Sequence, residues 1–406
     1  HEPGSTDTAA FLRALTTEAR AAVKKWPGRI QPETIYFGGG TPSIVDPHLI
    51  KKILDKIDET YHVSPKAEIT MEANPDDITL GNAAAWKAMG INRFSIGIQS
   101  FFEEDLTWMN RAHDAQQSRK CIEIIRQVGF DNFSIDLIYG TPGQSMERWI
   151  ENLDIAFSFQ VPHLSCYALT VEEGTALHHM IETRKKQQVD ADEQSLRFER
   201  LVEKTNEAGY RHYEISNFAI PGKESKHNKS YWEGALYQGF GPAAHSFDGK
   251  SRRWNVSNNM EYILSIENNK LPFEIELLSE ADQLNEYIMT SLRCDTGINK
   301  EFLVQHWGEE KMLHIRKEIT KSVAEGRLVE DEKHIKLSAS GKFFADGIAA
   351  SLFFLQEKKT PFESTWNPNC DGSPRACRRA AWACAHRTRP GSPRPAPPSR
   401  PAHSWR

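Results

Sequence analysis

No C-x-x-C pair occurs among the six cysteines of this chain; the most closely spaced, Cys370, Cys377 and Cys384, have six residues between neighbours. That spacing matches none of the usual zinc or iron–sulfur patterns. The other three, Cys121, Cys166 and Cys294, read as small buried residues of a protein kept in a reducing compartment. Long apolar runs are missing too. The best of them, such as 348–355, falls far short of the roughly 20 residues a membrane-spanning helix needs, and the first residues carry no basic-then-apolar leader. A cytoplasmic protein without a transmembrane segment is the expectation. Basic excess is absent from residues 1–358, which hold 41 Lys+Arg against 53 Asp+Glu. A surface of that sign lacks the phosphate-neutralising charge that nucleic-acid binding requires.

What the chain does have is ordinary globular composition: 406 residues, 39% apolar and 26% charged, enough for one large core and a smaller domain. Over residues 1–220, short β-branched or aromatic runs alternate with helix-length amphipathic stretches, which predicts an α/β fold with a parallel sheet covered by helices. Six parallel strands are expected, at 34–37, 68–72, 93–98, 132–138, 164–169 and 211–216. A helix over 7–26 precedes them, and a single helix over 105–128 is closed by Gly129. A βα unit opening on its helix implies that a first strand is missing, which leaves the strand at 34 as an exposed edge. Residues 221–278 read as a connecting segment. Residues 279–358 predict helices at 280–293, 300–307 and 309–325, a hairpin over 327–337 and a last helix from 340, a winged-helix-like α+β domain. With 14 acids against 11 bases, that domain suits a structural or substrate-covering role better than DNA binding. The tail 359–406 carries nine Lys+Arg against two acids; its Arg/Pro-rich composition cannot bury enough surface to fold.

In parallel α/β folds ligands bind past the carboxyl ends of the strands, and this chain places polar or glycine residues there repeatedly. Gly38-Gly39-Gly40-Thr41-Pro42 follows the first strand, and glycines there let a backbone approach a ligand. The G-x-G-x-x-G spacing of dinucleotide sites is absent. Glu72-Ala73-Asn74-Pro75 closes the second strand, Gly97-Ile98-Gln99-Ser100 the third, and Asp136-Leu137-Ile138-Tyr139-Gly140 the fourth. An acid inside an apolar strand is costly to bury unless paired or liganded, which singles out Glu72 and Asp136. Gln99 could equally serve a loop, and Asp136 could cap a helix. Arg111, twelve residues past Gln99 and expected in the following helix, could clamp a carboxylate. Together these side chains suit a ligand combining ribose, amine and carboxylate. His227-Asn228-Lys229-Ser230-Tyr231-Trp232 forms a second cluster, whose imidazole is open either to loop hydrogen bonding or to a heme.

These motifs, in this order, closely resemble the radical S-adenosylmethionine group that contains oxygen-independent coproporphyrinogen III oxidase (HemN) and the heme chaperone HemW. The resemblance covers about residues 6–357. It implies a partial (β/α)6-type barrel missing its first strand, with S-adenosylmethionine held by Gly39, Gly40, Thr41, Glu72, Gln99, Arg111 and Asp136, and with His227 turned toward heme. It also implies one of two activities: heme binding and transfer to apoproteins, or decarboxylation of a porphyrinogen through a deoxyadenosyl radical. The H-N-x-x-Y-W cluster and the aromatic pair Tyr36-Phe37 before the glycines favour the chaperone. Homodimerisation is left open. The family's [4Fe-4S] cluster sits on a C-x-x-x-C-x-x-C segment before the first helix, and no cysteine precedes Cys121 here. The expectation is therefore a chain without its cluster ligands, a truncated copy whose radical activity is in doubt, with an inactive fragment as the remaining alternative.

Overall fold

The structure, a computed structural model, describes residues 8–23 and 31–354. The tail 359–406, with Cys370, Cys377 and Cys384, lies outside the described residues. So does the last turn of the expected first helix.

Five strands, β1 (Thr34–Phe37), β2 (Glu68–Ala73), β3 (Arg93–Gln99), β4 (Phe133–Tyr139) and β5 (His163–Ala168), pair in parallel and in sequence order. The connections between them carry α2 (Pro47–Tyr61), α3 (Leu80–Ala88), α4 (Glu103–Trp108), α5 (Ala115–Gln127) and α6 (Met146–Ser158), after an initial α1 (Thr8–Val23). The fold is thus α/β with a parallel sheet, as expected, and among the described residues β2 is the one strand that pairs with β1.

Two expectations fail here for local reasons. The sixth strand is not the neighbour of the fifth. After α7 (Ala176–Glu182) and α8 (Ala191–Glu207), β6 (Arg211–Glu214) is joined to β7 (Asn217–Ala219) by the two residues Ile215 and Ser216, and the sheet order ends β5-β7-β6. So short a link can only connect antiparallel strands, since a parallel return needs a crossover. β7 therefore inserts antiparallel between β5 and β6. The helix expected over 105–128 is two helices. Asp114 accepts from the backbone N–H of Gln117, whose side chain accepts in turn from the N–H of Asp114, so a capping box restarts the helix there. Asn110, at φ 54°, turns the chain in between, and Arg111 lies in this loop rather than in a helix.

The strands alternate strictly. Ile35, Ile69, Met71, Phe94, Ile96, Phe133, Ile135, Leu137 and Leu164 face the helices and form the main core with Leu54, Trp86, Ile122, Ile125, Trp149 and Leu153. The register places Thr34, Glu68, Thr70, Arg93, Ser95, Ser134, Asp136, His163 and Ser165 on the opposite, polar face.

Residues 221–278, expected as a connector, hold α9 (Lys226–Trp232), an antiparallel sheet ordered β10-β9-β8 from β8 (His245–Phe247), β9 (Ser251–Asn255) and β10 (Phe273–Leu277), and α10 (Asn259–Glu267). α1 is fastened to this unit by Glu18, a buried carboxylate that accepts from Tyr262 Oη (2.6 Å), Asn255 Nδ2 (2.7 Å) and the N–H of Gly241 (2.9 Å). The C-terminal unit contains α11 (Glu280–Arg293), β11 (Ile298–Asn299), α12 (Lys300–Trp307), α13 (Glu309–Ala324), β12 (Leu328–Glu330), β13 (His334–Leu337) and α14 (Ala345–Ser351). Helices and hairpin fall where the sequence puts them; the two-residue β11 on the edge of β13 is additional. This unit has its own core around Leu284, Ile288, Ile315 and Ile335. It docks on the first sheet through Arg293, whose Nη2 lies 2.9 Å from Oε1 of buried Glu214. No helix among the described residues is long and apolar enough to cross a membrane.

Candidate functional site

Past the end of β1 the chain must turn sharply under Tyr36. A Cβ on Gly38 would stand 2.5 Å from the Tyr36 ring and 2.9 Å from Glu72 Oε1, so any larger residue would have to displace one of these side chains. Gly39 and Gly40 follow with φ of 79° and 76°, the left-handed region where a side chain costs about 1–2 kcal/mol. Nothing lies within 4 Å of a Cβ at either position, so their backbone faces open space. Glu72 holds the loop from below: Oε2 accepts from the N–H of Gly39 (3.0 Å) and Oε1 from Tyr36 Oη (2.8 Å).

Beside the loop, Gly40, Thr41, Glu72, Asn74, Gly97 and Asp136 line one small hollow. Asp136 is buried, and that desolvation together with the neighbouring Glu72 carboxylate pushes its pKa up to about 7, against the pull of Arg111 and Arg93. Burial likewise raises Glu72, with Tyr36 and Gly39 opposing. Arg111 reaches in from its loop: Nη2 donates to Asn74 Oδ1 (3.0 Å) and to the carbonyl of Gly97 (3.3 Å), while its buried Nε has no hydrogen-bond partner. Gln99 closes β3 at φ 65° where the pairing with β4 slips, and its Nε2 packs over Gly97. Gly39, Gly40, Thr41, Glu72, Gln99, Arg111 and Asp136, drawn from five chain segments, are thus brought to one rim. The residues fit a zwitterionic ligand. Open backbone donors, two carboxyls and a guanidinium with an unused N–H match a carboxylate, an amine and a sugar hydroxyl.

His227 stands on the other side of Tyr36. Its ring stacks on the Tyr36 ring at 4.7 Å and 17°. Nδ1 is 2.8 Å from Thr34 Oγ1 and Nε2 is 3.0 Å from Tyr231 Oη, so both ring nitrogens are engaged. Burial pushes its pKa down to about 4 and the imidazole is neutral at physiological pH. The backbone N–H groups of Lys226 and His227 donate to Glu68, which holds the start of α9 against β2. A broad cleft opens beyond, lined by Tyr231, Tyr237, Phe240, His245 and Trp254 among others.

Sequence reasoning missed Thr34, Glu68, Arg93 and the linking role of Tyr36. Their signal was the period-2 alternation of the strands, Glu-Ile-Thr-Met-Glu-Ala and Arg-Phe-Ser-Ile-Gly-Ile-Gln, which marks a sheet with one polar face. The described cysteines do not fit a cluster. Cys121 and Cys166 are buried in the apolar core, burial raises the pKa of both thiols, and no group of three His, Cys, Asp or Glu among the described residues is placed to hold a metal.

Comparison with known proteins identifies the family. The radical SAM superfamily matches residues 12–156 and the HemN C-terminal domain residues 278–344. The heme chaperone HemW of Bacillus subtilis is 30% identical over 341 residues, 83% of this chain and 89% of that protein. The chain belongs to the HemN/HemW group of radical SAM proteins. Another relative in the group, the bovine mitochondrial radical S-adenosyl methionine domain-containing protein 1, is 30% identical over 88% of this chain and 85% of its own length. Coproporphyrinogen III oxidase (HemN) from Escherichia coli superposes with a TM-score of 0.72 over 85% of this chain and 83% of its own, at 22% identity, a likeness of fold.

Proposed function

We propose that this HemN/HemW-group protein is a heme carrier: it binds heme in the cleft against α9, passes it to apoproteins, and binds S-adenosylmethionine where the same cleft reaches the glycine loop. The carrying observation is the position of His227, a neutral imidazole stacked on Tyr36 and facing an aromatic cleft with Tyr231 as its partner. Support for the cofactor comes from the open backbone of Gly39 and Gly40 and the orphaned Nε of Arg111. When bound, S-adenosylmethionine supplies a sulfonium-activated adenosyl group. The chain's part is to hold it: Glu72 and Asp136 accept from amine or ribose donors, Arg111 pairs with the carboxylate, and the glycine loop meets it with main-chain groups. The first sheet reads as a partial barrel with a polar lumen, and the helices and hairpin of the C-terminal unit as winged-helix-like. The relative in Bacillus subtilis bears the name heme chaperone, which favours the carrier over the oxidase.

The test is hemin titration of the full chain followed by absorbance. A saturable Soret shift at one heme per chain is expected, weakened about 10-fold or more in His227→Ala. No saturable shift in the wild type would reject the reading. Equal affinity in the variant would remove heme from α9.

A further inference from the structure

Both ring nitrogens of His227 are occupied in a consistent way. If Tyr231 Oη donates to Nε2 (3.0 Å), the proton of the neutral ring is on Nδ1, where it donates to Thr34 Oγ1 (2.8 Å). An iron approaching Nε2 would have to displace the phenol. The phenol oxygen is itself a good ligand for ferric heme, provided its proton has somewhere to go. Here it already points along a hydrogen bond to a base. His227 and Tyr231 are four residues apart and share one face of α9, and both line the cleft. The Tyr231 ring is fixed from the other side by an edge-on contact with Tyr237, centroids 4.7 Å apart, and that of His227 by its stack on Tyr36. The two side chains are held as a unit by their shared hydrogen bond and line the same cleft.

We propose that Tyr231 Oη, rather than an imidazole nitrogen, ligates the iron of ferric heme, and that His227 is the positioning base that receives the phenolic proton; this rests on the heme-carrier reading above. In the step the O–H bond of Tyr231 breaks, its proton passes to His227 Nε2, and a bond forms between the oxygen and Fe(III). Iron remains ferric, so no electron donor or acceptor is required. Burial disfavours a lasting imidazolium at His227, so the proton goes on from the ring to solvent in the open cleft that both side chains line.

The experiment is hemin binding to the full chain, wild type, Tyr231→Phe and His227→Ala, read by resonance Raman and electron paramagnetic resonance as well as by affinity. The wild-type complex should be high-spin ferric with phenolate vibrations. Tyr231→Phe should lose those vibrations, whereas His227→Ala should retain them while binding roughly 10–100-fold more weakly, the usual effect of removing an outer-shell partner. Low-spin imidazole spectra that survive Tyr231→Phe and vanish in His227→Ala would overturn the assignment and leave the carrier reading intact. Absence of saturable binding in the wild type would defeat both. The wild-type spectrum decides on its own should either variant fold poorly.

Discussion

Asp136 is the residue whose chemistry depends most on its surroundings. A carboxyl of usual pKa near 4 is carried to about 7 by burial and by Glu72. Folding therefore favours the protonated form: the contribution is fully present below the unfolded value and is lost as pH climbs through the folded one. The unfolding free energy of the wild type should fall relative to Asp136→Asn by roughly 2–4 kcal/mol between pH 4 and pH 8, measured by urea denaturation at each pH. Parallel curves would show that Asp136 ionises normally. Gly39 makes the complementary case, because its φ of 79° and the open space around it separate folding from binding. Gly39→Ala should cost about 1–2 kcal/mol of stability yet weaken S-adenosylmethionine binding about 10-fold, ~1.4 kcal/mol, by calorimetry. A variant that binds as well as the wild type would exclude the loop from the site.

At the scale of elements, the docking of the C-terminal unit rests on α11 and the β6–β7 turn. Glu214 is buried and accepts from Arg293 (2.9 Å), from the N–H of Ser216 (3.0 Å) and from Asn217 Nδ2 (2.6 Å). Removing one partner of a buried pair leaves the other charge uncompensated. Arg293→Met should therefore cost ~3–5 kcal/mol, with much of the loss recovered in the double variant with Glu214→Gln, as followed by urea unfolding. A loss below about 1 kcal/mol, within the range of an exposed pair, would mean that the units are held by their apolar contacts. The same turn explains the misplaced strand. Residues 211–219 have continuous strand character, and the direction reversal hides in two residues, Ile215 and Ser216, that carry neither glycine nor proline.

Over the whole molecule, the two candidate ligand regions meet at one side chain. Tyr36 donates to Glu72, which holds Gly39, and its ring stacks on His227, so the glycine loop and α9 share a contact although 187 residues separate Gly40 from His227. The sequence by itself determined the α/β class, the parallel order of β1 to β5, the helices and hairpin of the last unit, and the set of residues at the strand ends. Each is written in local periodicity or in short motifs. It also determined that no cysteine precedes Cys121. Only the tertiary structure decided that β7 lies between β5 and β6, that Arg111 reaches the hollow from a loop, and that α9 folds back on β1. It alone engaged both nitrogens of His227 and raised the pKa of Asp136. These depend on contacts between segments far apart in sequence and on burial, which a one-dimensional pattern does not encode.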